Sequence, residues 1–215
     1  MRNAEKDEQE MTARREAMLA QGFHLFADRG IEVVSMQEVA KACGVGIATL
    51  YRYYNTKLAL VIAIAVRQWT DYADYARAQR EIRCADKMTA AQELEFYLDF
   101  YIDLYQNHKD ILCFNQDFNN YIRHEGAAPE QLRPYVEAVN VFGRMFSALY
   151  EKGKKDGTIR TDLPEEKAFA ATSHIMLAVA VRYAQGLLFS GENEANMTQE
   201  ILLVKRMILK EIVIS

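Results

Sequence analysis

Two groups of side chains in this chain have the types and spacing to do chemistry, and they suit different partners. Within "GVGIATLYRYYNTK", Thr49, Tyr51, Arg52, Tyr53 and Lys57 bring hydroxyls, a guanidinium and an ammonium close together. These are donors for phosphate oxygens, and an Arg fork also fits a guanine edge while small apolar groups fit a thymine methyl. The second group is a set of rings one helical turn apart: Phe96 and Phe100, then Tyr97, Tyr101 and Tyr105, then Phe114 and Phe118, then Phe142 and Phe146. Asn115, Asn119, Asn140 and Arg144 lie beside them. An apolar cavity with a few polar groups takes small molecules, yet rings at this spacing more often fill a bundle core. The sequence leaves both readings open.

Catalytic chemistry finds little support. His24, His108, His124 and His174 are scattered without paired-ligand spacing, and glycine-rich phosphate loops are absent. Asp99 and Asp103 lie one turn apart but lack a nucleophilic or basic partner in sequence. Cys43, Cys84 and Cys113 are odd in number and far apart, which suits free thiols in a reducing compartment. No enzyme, no cofactor and no metal is expected.

The elements that position these groups read as helices throughout. With 50% hydrophobic and 26% charged residues, only 3 Pro and 10 Gly, the chain is globular and all-α. A first helix over 10–29 carries Met18, Leu19, Phe23, Leu25 and Phe26 on one face and stops at Gly30, after a charged, flexible arm over 1–9. "SMQE" from Ser35 is a capping box that opens a second helix, which Gly44 closes. A third short helix follows from Ile47 to about Tyr54. Helices this short need tertiary packing, which Val39, Val45, Leu50 and Tyr54 can supply. Ala48, Thr49, Arg52 and Tyr53 then point away, whereas Ile47 sits beside the inward arc and reads either as core or as reader. Such a pair is a helix-turn-helix or a plain αα corner; geometry alone does not choose.

Net charge is −4, which by itself argues against a polyanionic partner, but its distribution matters more. Residues 1–57 hold 8 Lys or Arg against 8 Asp or Glu, whereas 58–215 hold 18 against 22. Between Ser35 and Lys57 the only acid is Glu38, against Lys41, Arg52 and Lys57. The amino-terminal stretch is too polar for a signal peptide and no apolar run approaches a membrane span, so a cytoplasmic protein with no membrane partner is expected.

The stretch from Gly44 to Leu60, with "LFADRG" and "SMQEVAKAC" before it, resembles the DNA-binding region of the TetR family of bacterial transcriptional regulators. The shared positions are Phe26, Ala27, Gly30, Ser35, Ala40, Gly44, Val45, Thr49, Leu50, Tyr51, Tyr53 and Lys57. Gly46, Ala48 and Tyr54 depart from the pattern, and Gly46 lacks the hydroxyl of a usual N-cap. The resemblance implies a DNA-binding domain over 1–57 and a ligand-binding and dimerisation domain over 58–215. It implies base contacts from Gln37, Ile47, Ala48, Arg52 and Tyr53, and phosphate contacts from Ser35, Thr49, Tyr51 and Lys57, with Gly46 at the start of the reading helix. Lys57 would hold its phosphate at the start of the fourth helix.

Beyond Lys57, six helical stretches are expected over 57–83, 89–107, 110–124, 129–153, 164–189 and 197–213, with breaks at "GAAP" from 126, "GKKDGTIRTDLP" from 153 and "SGENEAN" from 190. "QEILLVKRMILKEIVIS" is apolar on more than one stripe, and Ala170, Ala171, Ser173, Ala178, Ala180 and Ala184 permit close helix approach. The last two helices are therefore expected to build a two-fold, four-helix homodimer interface. The expected effector is a small, mainly apolar molecule held by Phe100, Tyr101, Phe118, Asn119, Tyr121, Arg144 and Phe146. The expected function is a repressor of double-stranded operator DNA; the alternative is a helical interaction module without specific DNA binding.

Overall fold

The computed structural model describes residues 4–186 and 194–214, and within them the chain is helical. The helices are α1 Ala4–Arg29, α2 Met36–Ala42, α3 Ile47–Tyr53, α4 Lys57–Ile82, α5 Ala90–Asn107, α6 Lys109–His124, α7 Pro129–Asp156, α8 Glu165–Ala184 and α9 Glu194–Ile212. The all-α expectation holds. None of these helices is long and apolar enough to cross a membrane. The expected end of the eighth helix beyond 186 and most of the "SGENEAN" break fall outside the described residues.

Several boundaries differ from expectation for local reasons. α1 begins at Ala4, so the segment expected as a flexible arm over 1–9 is helical from that point; its residues are good helix formers and Glu10 pairs with Arg14 one turn on. α7 runs past 153 to Asp156, where Gly157 at φ +68° lets its N–H return to the Gly153 carbonyl. The linker after it is pinned by an isolated bridge between Ile159 and Val213.

The chain divides into two compact units, Met1–Thr70 with Phe114–Glu137, and Asp71–Cys113 with Ala138–Ser215. In the first, Met18, Phe26, Val39, Leu50, Leu60 and Phe118 are fully buried, with Phe23 set edge-on against Phe114 at 5.5 Å. The helix-turn-helix thus shares one core with α6. Gly22 lets α1 lie close to α4, since a Cβ there would meet the tip of Ile64 at 2.8 Å. Leu25, expected on the buried face, is half-buried, as is Val45.

The second unit is organised by α5, which buries Leu94, Phe96, Tyr97, Leu98, Ile102 and Tyr105. Its N-terminus is fully capped: Thr89 and Gln92 form a capping box, while Asp156 and the Thr158 hydroxyl accept from the N–H groups of Ala90 and Ala91 at 2.7 and 3.0 Å. Glu93, 1% exposed, is paired by Arg80 and Lys152, and Lys152 also donates to the carbonyls of Ala85 and Met88. A buried carboxylate is tolerated because two cations face it, and Lys152 spends its other donors on carbonyls.

Candidate nucleic-acid interface

The candidate interface is carried by α2 and α3, seven residues each and too short to stand alone. Val39 and Leu50 at 0% exposure and Tyr54 at 7% anchor them from behind. Ser35 caps α2: its Oγ accepts from the Glu38 N–H at 3.3 Å while Glu38 Oε2 accepts from the Ser35 N–H at 2.8 Å. Arg29 closes on the other Glu38 oxygen at 2.8 Å. The two Ser35 bonds and the Arg29 guanidinium hold the Glu38 carboxyl down at about 2. The segment's sole acid is therefore neutralised internally, which leaves its basic residues to set the local field.

Gly46 caps α3 in extended conformation without a side-chain bond, and its carbonyl accepts from Thr49 and Leu50. On the outward side Gly46, Ala48, Tyr51 and Arg52 are exposed, and Gln37 on α2 is exposed as well. Thr49 and Tyr53 are half-buried, with the Arg52 guanidinium 5.9 Å from the Tyr53 ring centre. Ile47, which the sequence left between core and reader, is half-buried. The Ser35 hydroxyl, expected on a phosphate, donates to Glu38 at 2.8 Å here.

Lys57 is set differently from the other candidate residues. Its ammonium donates to the Glu32 carbonyl at 3.2 Å and lies 5.4 Å over the ring of Tyr121 on α6. Burial pushes its pKa down, against the opposing pull of the Glu32, Glu125 and Glu38 carboxylates. The α4 N-terminus that was expected to share a phosphate with it is capped by Thr56, whose Oγ accepts from the Ala59 N–H at 3.0 Å. Thr56 and Glu32 escaped the sequence reading. A Thr just before an apolar run is an N-cap signal that was available, whereas the Glu32 contact uses a backbone carbonyl that no side-chain pattern reports.

The expected effector residues divide between the units. Phe118, Asn119 and Tyr121 belong to the first: Phe118 is fully buried against Phe114 and Tyr135, Asn119 is half-buried, and Tyr121 faces Lys57. Phe100, Tyr101, Arg144 and Phe146 belong to the second. There Phe146 packs against Tyr97, Tyr150 and Phe169, Phe100 against Phe96 and Tyr72, and the Tyr101 hydroxyl sits 3.4 Å from that of Tyr97. Arg144 is exposed. The buried polar hub that sequence reasoning named only in passing is Asn115, whose Oδ1 accepts from Trp69 and Tyr135, each at 3.2 Å.

On α8 and α9, Ala171, Ile175 and Ala178 form one exposed row, Leu203 and Met207 another, while Ser173 and Ala180 point inward. Between the rows lies an apolar groove of about 340 Å³ lined by Leu163, Ala171, Ile175, Val204, Met207 and Ile212.

Comparison with known proteins agrees with the helix-turn-helix and with the all-helical fold. Residues 18–64 match the sequence pattern of "Bacterial regulatory proteins, tetR family". Among curated relatives, the HTH-type transcriptional repressor KstR2 of Rhodococcus jostii (strain RHA1) is 24% identical over 159 residues, 74% of each chain. Among solved structures, a transcriptional regulator from Saccharomonospora viridis in complex with choline superposes with a TM-score of 0.75 at 17% identity, covering 95% of this chain and 100% of the other. FadR from Bacillus subtilis in complex with stearoyl-CoA does so at 0.71 and 13% identity, covering 91% and 98%. At these identities the structural likeness speaks for the fold.

Proposed function

We propose, from the premise that this chain belongs to the TetR family of bacterial transcriptional regulators, that it is a cytoplasmic repressor that binds a palindromic operator as a homodimer. A small, mainly apolar effector releases it. The observation that carries the reading is the outward row of α3, where Ala48 and Arg52 are exposed one turn apart on a helix anchored from behind by Leu50 and Tyr54. A helix so presented can lie in a major groove, with Arg52 on a base edge and with Gln37, Thr49, Tyr51 and Tyr53 around it. Residues 1–57 would carry the DNA contacts, and 58–215 the effector and the dimer contact.

The dimer reading is supported by the exposed rows of α8 and α9, since Ile175 at 47%, Leu203 at 49% and Met207 at 63% exposure would otherwise face water together. A second copy related by two-fold symmetry would cover the same rows on both chains and set two reading helices on one palindrome.

The neighbours' ligands, stearoyl-CoA and choline, differ too much in chemistry for the fold to name an effector. The rings of the second unit favour an apolar one. Phe100, Tyr101 and Phe146 are packed against neighbouring rings, so a ligand entering among them must select a second arrangement of those rings. That requirement would tie binding to a conformational change.

A fluorescence-anisotropy titration of labelled duplex DNA over a salt series tests the central claim. The logarithm of the affinity should fall linearly with log salt as phosphates are neutralised, and random-sequence selection should return a palindrome. DNA binding that is absent at every salt concentration would instead favour a helical interaction module.

A further inference from the structure

Tyr121 stands on α6 far along the chain from the helix-turn-helix, yet its ring covers the ammonium of Lys57 at 5.4 Å. It does not act alone. Asp117, one turn earlier, accepts from the Ile31 N–H, and His124 Nδ1 stands 3.7 Å from the Glu32 carboxylate. Gly30, at φ +86°, would bring a Cβ within 3.4 Å of Asp117 Oδ2. α6 therefore grips the turn Gly30–Glu32, and that turn supplies the carbonyl to which Lys57 donates. All of these groups belong to one compact unit.

We propose that Tyr121 and the Glu32 carbonyl form a latch that withholds the Lys57 ammonium from DNA phosphate, which makes Tyr121 a positioning residue that sets DNA affinity from outside the helix-turn-helix. The inference rests on the DNA-binding reading above and adds its regulation. A cation over a π face that also donates to a carbonyl has part of its solvation replaced by fixed partners. The Glu32 and Glu125 carboxylates around it lower the field that a phosphate would meet. Binding DNA requires the ammonium to leave the ring and the carbonyl and take the phosphate instead. Since α6 holds both the ring and the turn, a shift of α6 changes how tightly the cation is kept. The gain from release is the same for every sequence, because a phosphate carries no base identity.

Tyr121→Leu, Lys57→Ala and the double variant, each in the full chain and each checked for a cooperative thermal transition, test this by anisotropy on operator and on random duplex. Tyr121→Leu should raise affinity about fivefold on both DNAs, the low end of typical coupling, with an unchanged salt slope. Lys57→Ala should flatten that slope by about one charge and abolish the gain in the double variant. In the unmodified protein, the Lys57 methylene protons next to the ammonium should show an upfield ring-current shift by NMR that disappears on saturation with DNA. Affinity unchanged or lowered in Tyr121→Leu, a gain that survives in the Lys57→Ala background, or a ring shift that persists in the complex each overturn the latch. Absence of salt-sensitive DNA binding by the unmodified chain would bring down the DNA-binding reading and the latch with it.

Discussion

α3 and α5 use their side chains in opposite ways. α3 buries only Leu50 and turns Ala48, Tyr51 and Arg52 to solvent, so its position is dictated by what lies behind it. α5 buries rings, aliphatic side chains and even the carboxylate of Glu93, so its own residues are the scaffold. Polar groups on α3 stay solvated and available to a partner, whereas the Glu93 carboxylate of α5 is consumed by Arg80 and Lys152, and its first N–H groups by Asp156 and Thr158. Substitutions on the first should therefore change recognition and spare folding, and those on the second should do the reverse.

The hardest test of that contrast lies in the second unit. Phe146→Ala should lower unfolding free energy by about 3–5 kcal/mol in urea denaturation, because Tyr97, Tyr150 and Phe169 cannot all collapse into the space. Glu93→Ala should cost about 3–5 kcal/mol by stranding two cations. In neither variant should the folded fraction select a different DNA motif. A Phe146→Ala protein of undiminished stability would show that the ring is free to serve a ligand. On α3, Arg52→Ala should weaken operator binding by about 1–3 kcal/mol and relax preference at one base pair. Its unfolding free energy should change by no more than about 0.5 kcal/mol, as for an exposed site. A selected motif identical to that of the unmodified protein would take Arg52 out of base reading.

Smaller effects probe the caps. Ser35→Ala should cost about 1 kcal/mol of stability by removing the hydroxyl that satisfies the Glu38 N–H, read as a lowered melting temperature. The same box carries a pH signature. Because the folded-state pKa of Glu38 lies at about 2, below its ordinary 4.5, its contribution is present above pH 4.5 and is lost as pH falls towards 2. Glu38→Gln should flatten the acid limb of a pH–stability profile in that window, and an unaltered limb would mean the bonds to Ser35 and Arg29 do not persist in solution.

The sequence made the first unit far more legible than the second. "SMQE" encodes a capping box whose partners are three residues apart, and Gly30 and Gly44 encode left-handed turns at φ +86° and +65° by residue type alone. Those are local rules, and they placed α2 and α3 correctly. Periodicity likewise located every later helix, but it cannot say which of two faces meets a neighbour. The Tyr97, Tyr101 and Tyr105 spacing is the same whether the rings line a cavity or fill one, and only Phe146 and Phe169 arriving from other helices shows the packing. Lys57 is the sharpest case. The family resemblance implies a phosphate contact for it, while its partners within the chain are the Glu32 carbonyl and the Tyr121 ring, which no local pattern connects to it.

One feature of α1 bears on motion. The helix is 26 residues long, about 39 Å at 1.5 Å per residue, yet no described side chain before Met18 is buried. Its amino-terminal half is held mainly by its own hydrogen bonds and by ion pairs such as Glu16 with Arg67, whereas Met18, Phe23 and Phe26 lock the rest into the core. Hydrogen exchange should split this single helix into two kinetic populations, with amides up to about Ala17 exchanging through local fraying and those from Phe23 onward only through opening of the whole first unit. The same covalent helix would then belong to two cooperative units, and the border between them would fall where burial begins rather than where the helix does.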